Sequence, residues 1–423
     1  MSTQTLQKWN ETTLGDVCDK VHGIIQTGPF GSQLHESDYS QDGTPVVMPK
    51  DIIDGKIETN NVARVSEEHV IRLQKHKLKS GDIVYGRRGD IGRQALINKD
   101  QEGWLCGTGC LRISLGDKVI NPKFLHYYLR DEEVINWIFN QAIGSTMPNL
   151  NTAILRSVPV RIPDIGVQVN IASILSNYDD LIENNVQRIQ ILEKIARVFY
   201  KEWFINFRFP GYERVKIVDG DNGIEKIPEG WKQKNITDTE LFRLSKERIK
   251  SFTGEKMYLD TSSIEGTSIV KKPLLVSYDT APSRAQFQPS KNSVWFARMS
   301  NTYKVLVFND SSDFEVDNYI LSSGMLGIET ERKYLAFLFF TINSESFHQL
   351  KDQNATGSTQ VSLTNGGFEK IKNIIPPKDF IEKYSNLINP LVDEILYLQR
   401  ENQMLRDMRN LLIPKLVTGE IKI

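Results

Sequence analysis

Two long stretches of this chain place apolar residues at seven-residue spacing. In the later one, Ile388, Leu391, Ile395, Leu398, Asn402, Leu405, Arg409 and Leu412 fall on alternating three- and four-residue steps. In the earlier one, the same frame picks out Leu175, Tyr178, Ile182, Asn185, Ile189, Leu192, Ala196 and Phe199. Such a frame predicts amphipathic helices, over about 169–207 and about 380–413, whose apolar seams suit a coiled coil. Asn185 and Asn402 interrupt the seams, where a single polar residue fixes register at a cost in stability. The plainer alternative is that each helix packs on its own domain.

Ahead of each helix the pattern changes. Short β-rich runs alternate with Gly, Asp and Asn turns: PVVMP, GDIVYGRRGDIG and CLRISL in the first half, SVWFARMSNTYKVLVF in the second. The two halves also share a phrase. AIGSTMPNLN (142–151) returns 213 positions later as ATGSTQVSLT (355–364). With that offset, Leu150 meets Leu363, Val158 meets Ile371, Ile162-Pro163 meets Ile375-Pro376, and Leu192 meets Leu405. Towards the N-terminus the offset drifts, as loop insertions would make it. DIVYGRR (82–88) pairs with SVWFARM (293–299), GTGCLRI (107–113) with SSGMLGI (322–328), and FLHYYL (124–129) with YLAFLF (334–339). Trp9 followed by Thr13-Leu14-Gly15-Asp16 pairs with Trp231 followed by Asn235-Ile236-Thr237-Asp238. A period this long excludes a solenoid and predicts a duplicated domain with pseudo-twofold architecture.

The expected fold is therefore α+β: two globular mixed α/β domains, each followed by a long helix, the helices pairing as an antiparallel coiled coil. The expected boundaries are 1–165 for the first domain, 166–215 for its helix, 216–378 for the second domain, and 379–423 for the second helix and tail.

Composition narrows the picture. The 423 residues are 39% hydrophobic and 25% charged, as in a globular chain. The formal net charge of -1 leaves any nucleic-acid footprint to local clusters. Three cysteines, Cys18, Cys106 and Cys110, make no disulfide framework and fit a reducing cytosol. Cys106 and Cys110 lack a second Cys/His pair, so small buried residues are the default reading and no metal site is expected. The N-terminus has no signal-peptide core, and the apolar run 334–342 is too short to span a bilayer, which points to a cytoplasmic protein without a membrane.

Catalytic signatures are missing from both halves: no P-loop, no G-x-S-x-G elbow, no H-E-x-x-H. GRRGDIG (86–92) has the wrong spacing for a dinucleotide turn and reads as a β-turn between strands. The Pro-Pro of IIPPK (374–378) is a helix entry and not the tetrapeptide of an amino-methyltransferase. A binding protein is implied. Between Arg72 and Lys99 stand eight cations, including Arg87, Arg88 and Arg93, against Asp82 and Asp90. Such a segment suits phosphate contact, or is an ordinary solvated hairpin. In the second half Arg298 and Lys304 are interleaved with Phe287, Trp295, Phe296 and Tyr303, which read as core more than as base-stacking residues. Gly-Ser-Thr is either a helix N-cap or a source of hydroxyls and N–H groups for a phosphate.

The layout resembles the specificity subunit of type I restriction-modification systems. The resemblance runs over the whole chain. It is carried by GPFGSQL (28–34), GDIVYGRRGDIG (81–92), both Gly-Ser-Thr segments, NIASILSNYDDLIENN (170–185) and LLIPKLVTGEIKI (411–423). It implies target-recognition domains that each read half of a bipartite double-stranded DNA target, and spacer helices that act as a ruler and dock two methyltransferase subunits. It also implies motor-nuclease restriction subunits as partners, with S-adenosylmethionine, ATP and Mg held by those partners and no cofactor on this chain. The implied DNA contacts are Lys50, Arg87, Arg88, Arg93, Ser145 and Thr146 in the first half, and Arg298, Lys304, Ser358 and Thr359 in the second. The implied helix and subunit interface is Ile182, Ile189, Leu192, Phe199, Ile395, Leu398, Asn402, Leu405 and Leu412. The second half departs from the pattern: it lacks a GPFGSQL equivalent and carries ITDTELFRLSKERIKSFTGEKMYLDTSSI (236–264) instead. Two other readings are a coiled-coil scaffold with two protein-binding domains and a divergent stand-alone DNA methyltransferase.

Overall fold

The computed structural model describes residues 9–59, 61–87, 91–141, 149–220, 226–358 and 360–423. The chain divides into two compact units, Met1–Asn184 with Asn402–Ile423, and Asn185–Glu401. Both long helices contribute to both units.

In the first unit an antiparallel sheet runs in the order Ile24–Thr27, Cys110–Ser114, Ile83–Gly86, Gln94–Leu96. A second sheet runs Leu105–Cys106, Thr44–Val47, Ala63–Val65, Tyr39–Ser40, and its first pair is parallel. These are the β-branched runs seen in the sequence, and Val46, Val47, Val84 and Leu111 are fully buried in them. The helix Pro122–Tyr128 starts with proline in its first turn and Asn121 as N-cap. It buries Phe124, Tyr127 and Tyr128 against Ile171, Ala172 and Leu175 of the first long helix and Ile413, Leu416 and Val417 of the second. A two-stranded clasp, Asn10–Thr13 with Pro159–Ile162, closes the unit just before the long helix.

The second unit repeats this plan. Its antiparallel sheet runs Phe242–Leu244, Met325–Thr330, Ser293–Ala297, Val305–Phe308. Its second sheet runs Leu274–Val276, Lys256–Leu259, Tyr319–Ser322, Ala285–Phe287, again with one parallel pair. The clasp is Lys232–Lys234 with Asn373–Ile375. The most apolar run of the sequence forms the helix Leu335–Ile342, all eight residues of which are buried, so it is core. Among the described residues no helix is long and apolar enough to cross a membrane.

The long helices span Ile165–Tyr200 and Lys378–Val417. At 1.5 Å per residue they extend about 54 Å and about 60 Å. The first begins before the expected 169, and a π-helical turn, Lys201–Ile205, continues it to near the expected end. Within the second unit, Ile189 packs with Ile395 and Leu398, with Leu192 partly buried alongside, and Asn185 Nδ2 donates to Glu401 Oε2 at 2.7 Å. Further along the same unit, Ala196, Trp203 and Phe204 pack with Tyr384 and Ile388. Partner numbers fall as helix numbers rise, so these segments run antiparallel. Ile182 and Asn402 are buried, and Leu405 and Leu412 half-buried.

Phe199, expected at the helix and subunit interface, is 37% exposed, while Ala196 and Trp203, seven residues apart in the same frame, are buried.

Candidate nucleic-acid interface

Each half holds one arginine in the same bonding pattern. In the first, the Arg87 N–H donates to the Gly109 carbonyl at 2.8 Å, and the Leu150 N–H to the Arg87 carbonyl at 3.0 Å. The Arg87 Nε donates back to the Leu150 carbonyl at 3.2 Å and to Asn149 Oδ1 at 3.1 Å. In the second, the Arg298 N–H donates to Gly324 at 2.8 Å, and the Leu363 N–H to Arg298 at 2.8 Å. Arg298 Nη1 donates to the Leu363 carbonyl at 3.2 Å, and its Nε to Met325 at 3.1 Å. The two arginines therefore stitch each Gly-Ser-Thr-bearing segment to its sheet. A guanidinium holds a carbonyl more firmly than a neutral donor would.

Arg298, an implied DNA contact, is half-buried and gives its guanidinium to backbone carbonyls. Lys304 is likewise half-buried, with Nζ donating to the Thr261 carbonyl at 2.6 Å. Lys50 and Arg93 are exposed, and Ser358 lies exposed in a bend. Arg88, Ser145, Thr146 and Thr359 lie outside the described residues. The N-cap role does not fall on Gly-Ser-Thr in the second half. The caps are Asn151, which accepts from Ile154 N at 2.8 Å, and Thr364, which accepts from Gly367 N at 3.0 Å, again 213 positions apart.

The basic segment of the first unit is held from beneath. Arg112 Nε donates to Asp82 Oδ2 at 2.7 Å, with both side chains at most 5% exposed. Arg112 Nη1 also reaches the Lys75 carbonyl at 3.3 Å. Asp82 is thus a buried partner and does not offset the surface cations Lys75, Lys79 and Lys99, which are exposed. Sequence reading missed Arg112 because it lies outside the basic run. His76 is buried here; burial, then Lys75 and Arg112, push its pKa down to about 4, so it adds no charge near neutrality.

In the second unit Trp295 and Phe296 are fully buried core, as expected, while Tyr303 is exposed and donates to Asp352. The exposed cations of the second unit include Arg243, whose Nε stands 2.8 Å from Glu329 Oε2, with Lys246, Arg248 and Lys250. They belong to the segment in which the second half departs from the first, where RLSKERIK was the available signal.

Among the described residues no three His, Cys, Asp or Glu gather as metal ligands. All three cysteines are buried, and burial pushes the Cys106 thiol up to about 12. No nucleophile is prepared there.

Residues 7–194 match the model of the type I restriction modification DNA specificity domain. The MjaIX specificity subunit of a Methanocaldococcus jannaschii type I restriction enzyme is 26% identical over 90% of this chain and 87% of its own length. The HindI specificity subunit of Haemophilus influenzae is 21% identical over 98% of this chain and 100% of its own. The crystal structure of the type I restriction-modification S subunit from M. genitalium shares the fold, with a TM-score of 0.56 at 14% identity over 98% of each chain. With the same domain plan written twice along it, the chain is similar over nearly its whole length to type I restriction-enzyme specificity subunits, and its first half matches their DNA specificity domain.

Proposed function

We propose that this chain is the DNA-recognition subunit of a type I restriction-modification complex. Each globular domain reads one half of a split duplex target. The two long helices set the distance between half-sites and dock two methyltransferase subunits. Motor-nuclease subunits join that assembly, and S-adenosylmethionine, ATP and Mg belong to those partners. The chain itself is non-catalytic and works in the cytoplasm.

The observation that carries this reading is the repeated stitch. Arg87 with Leu150 and Arg298 with Leu363 make the same backbone bonds in two domains of the same sheet plan. A structure repeated at this level suits a task performed twice on two similar sites. Duplex contact falls to exposed cations: Lys50, Lys75, Lys79, Arg93 and Lys99 in the first domain, and Arg243, Lys246, Arg248 and Lys250 in the second. Ser358 and its neighbour Thr359, with Arg88, Ser145 and Thr146, remain candidate backbone contacts. Arg87 and Arg298 act by holding the segment that presents them.

The test is duplex binding by the complex of this chain with its methyltransferase subunit, followed against salt. Phosphate contacts by several of these cations make the logarithm of affinity fall linearly with the logarithm of salt, by about 0.9 per contact. A complex that assembles but shows no salt-dependent duplex binding contradicts the reading and favours a protein scaffold. S-adenosylmethionine binding by the isolated chain favours a methyltransferase instead.

A further inference from the structure

A charged cluster joins the first domain to both long helices, and the duplicated half places other residues at its positions. Its tip is the hairpin Ile52–Ile53 with Lys56–Ile57, which is rooted in the core through Ile52 and Ile57. The turn residues Asp54 and Gly55 have φ of 45° and 79°, the pattern of a type I′ turn, for which Asp-Gly is favoured. Asp54 accepts from Arg130 Nη2 at 2.6 Å and from Arg409 Nη2 at 3.0 Å on Oδ1 and 3.3 Å on Oδ2. Arg406 Nε stands 3.9 Å from Asp54 Oδ2. Arg409 Nη1 also donates to Asp179, which accepts from the Tyr127 hydroxyl at 2.6 Å. Three guanidinium groups thus share two carboxylates. The Arg409 side chain is 2% exposed and that of Asp179 15%.

Burial acts to raise the Asp179 carboxyl, but Arg409, the Tyr127 hydroxyl and Arg130 outweigh it and hold it below its ordinary value. Such a cluster is a poor source of stability, because desolvating the charges offsets most of their attraction. Its forked, directional bonds are good at fixing orientation. The second unit supplies the contrast. At the offset of 213, Asp179 corresponds to Val392 and Arg409 to Ala196, both fully buried. The matching hairpin, Ile264–Glu265 with Ser268–Ile269, puts Gly266 where Asp54 stands. There Thr267 Oγ1 donates to Glu193 Oε1 at 2.6 Å and Gln399 Nε2 donates to the Thr267 carbonyl at 3.2 Å, so the fold closes at this position without shared guanidinium groups.

We propose that Asp54, Arg409 and Asp179 are positioning residues: they fix the angle at which the first recognition domain stands on the long helices, and so restrict the spacer length that the complex accepts. This rests on the split-target reading. The hairpin tip is the lever, since it reaches from the domain to a helix arginine that is itself anchored on the opposite helix through Asp179. Removing the Asp54 charge frees the lever while leaving the recognition surface untouched.

The experiment uses the complex of the full chain with its methyltransferase subunits. Initial methylation rates are compared on duplexes carrying both half-sites with the cognate spacer and with spacers one base pair shorter and longer. Asp54→Asn keeps the shape and removes the charge at a half-exposed position. It is expected to lower the preference for the cognate spacer about tenfold, the effect of about 1.4 kcal/mol, with half-site preference unchanged. Arg406→Gln, at the edge of the cluster, should shift the ratio the same way by less. Lys56→Ala, which removes the neighbouring exposed pair with Glu183, should leave it unchanged. A wild-type spacer ratio in both Asp54→Asn and Arg406→Gln overturns the proposal, even if thermal stability falls. A wild-type complex indifferent to the second half-site overturns the split-target reading instead.

Discussion

The two junctions between domain and helices occupy corresponding positions and differ in chemistry. At the offset of 213, Ile413, Leu416 and Val417 in the first unit correspond to Tyr200, Trp203 and Phe204 in the second, and Arg409 corresponds to Ala196. The first junction combines aliphatic packing with a buried ion cluster. The second is an aromatic cluster in which Phe204 lies 4.9 Å from both Phe337 and Tyr384, ring centre to ring centre. One fold thus closes in two ways. Aromatic burial supplies more contact area, and the ion cluster supplies direction. A duplicated chain can stabilise one junction chiefly by burial while using the other to hold an angle.

Substitutions separate the two chemistries. Phe204→Ala should cost about 3–5 kcal/mol in denaturant unfolding, because it empties the middle of a buried aromatic cluster. Its counterpart Val417→Ala removes less volume and should cost clearly less. Equal costs would contradict the contrast.

Arg409→Ala alone should cost up to about 3 kcal/mol, since it takes the guanidinium from the mostly buried Asp179 and leaves it the Tyr127 hydroxyl and the more distant Arg130. Importing the second junction's residues, Asp179→Val with Arg409→Ala, should be less harmful than Arg409→Ala alone. A fully additive double variant would show that the two side chains do not act as a pair.

A smaller effect concerns pH. His126 is buried in the first unit; burial first, then Arg130, pushes its pKa down to about 3. The unfolded chain takes up a proton below about pH 6.5 that the folded chain refuses. Stability is therefore full above that pH and falls as pH drops towards 3, by about 1.4 kcal/mol per unit for this group. His126→Gln should flatten the slope between pH 6.5 and 5 in unfolding titrations. His76 and His348, both held near 4, leave a residual slope.

The duplication was legible because buried positions keep their residue type at a fixed offset, as Leu150 and Leu363 do. Even the arginine stitch was aligned, since DIVYGRR was set against SVWFARM. Its role was not legible, because the partners of Arg87 and Arg298 are backbone carbonyls, which carry no residue type. The caps Asn151 and Thr364 were overlooked beside the more obvious Gly-Ser-Thr six residues earlier. The hairpin at Asp54-Gly55 had a readable turn signal, but its counterpart at Gly266-Thr267 uses a different turn, with φ of 54° only at the glycine. The repeat therefore hid in plain sequence. Arg409 falls in the seven-residue frame; that one of its partners comes from a hairpin some 350 residues earlier could come only from the fold.

The most direct test of the account is a genome-wide map of modified adenines in a methylation-free host expressing this chain with its methyltransferase subunit. The account predicts one split motif, two half-sites at a fixed spacing. A continuous motif, or no methylation from a soluble, assembled complex, would contradict it.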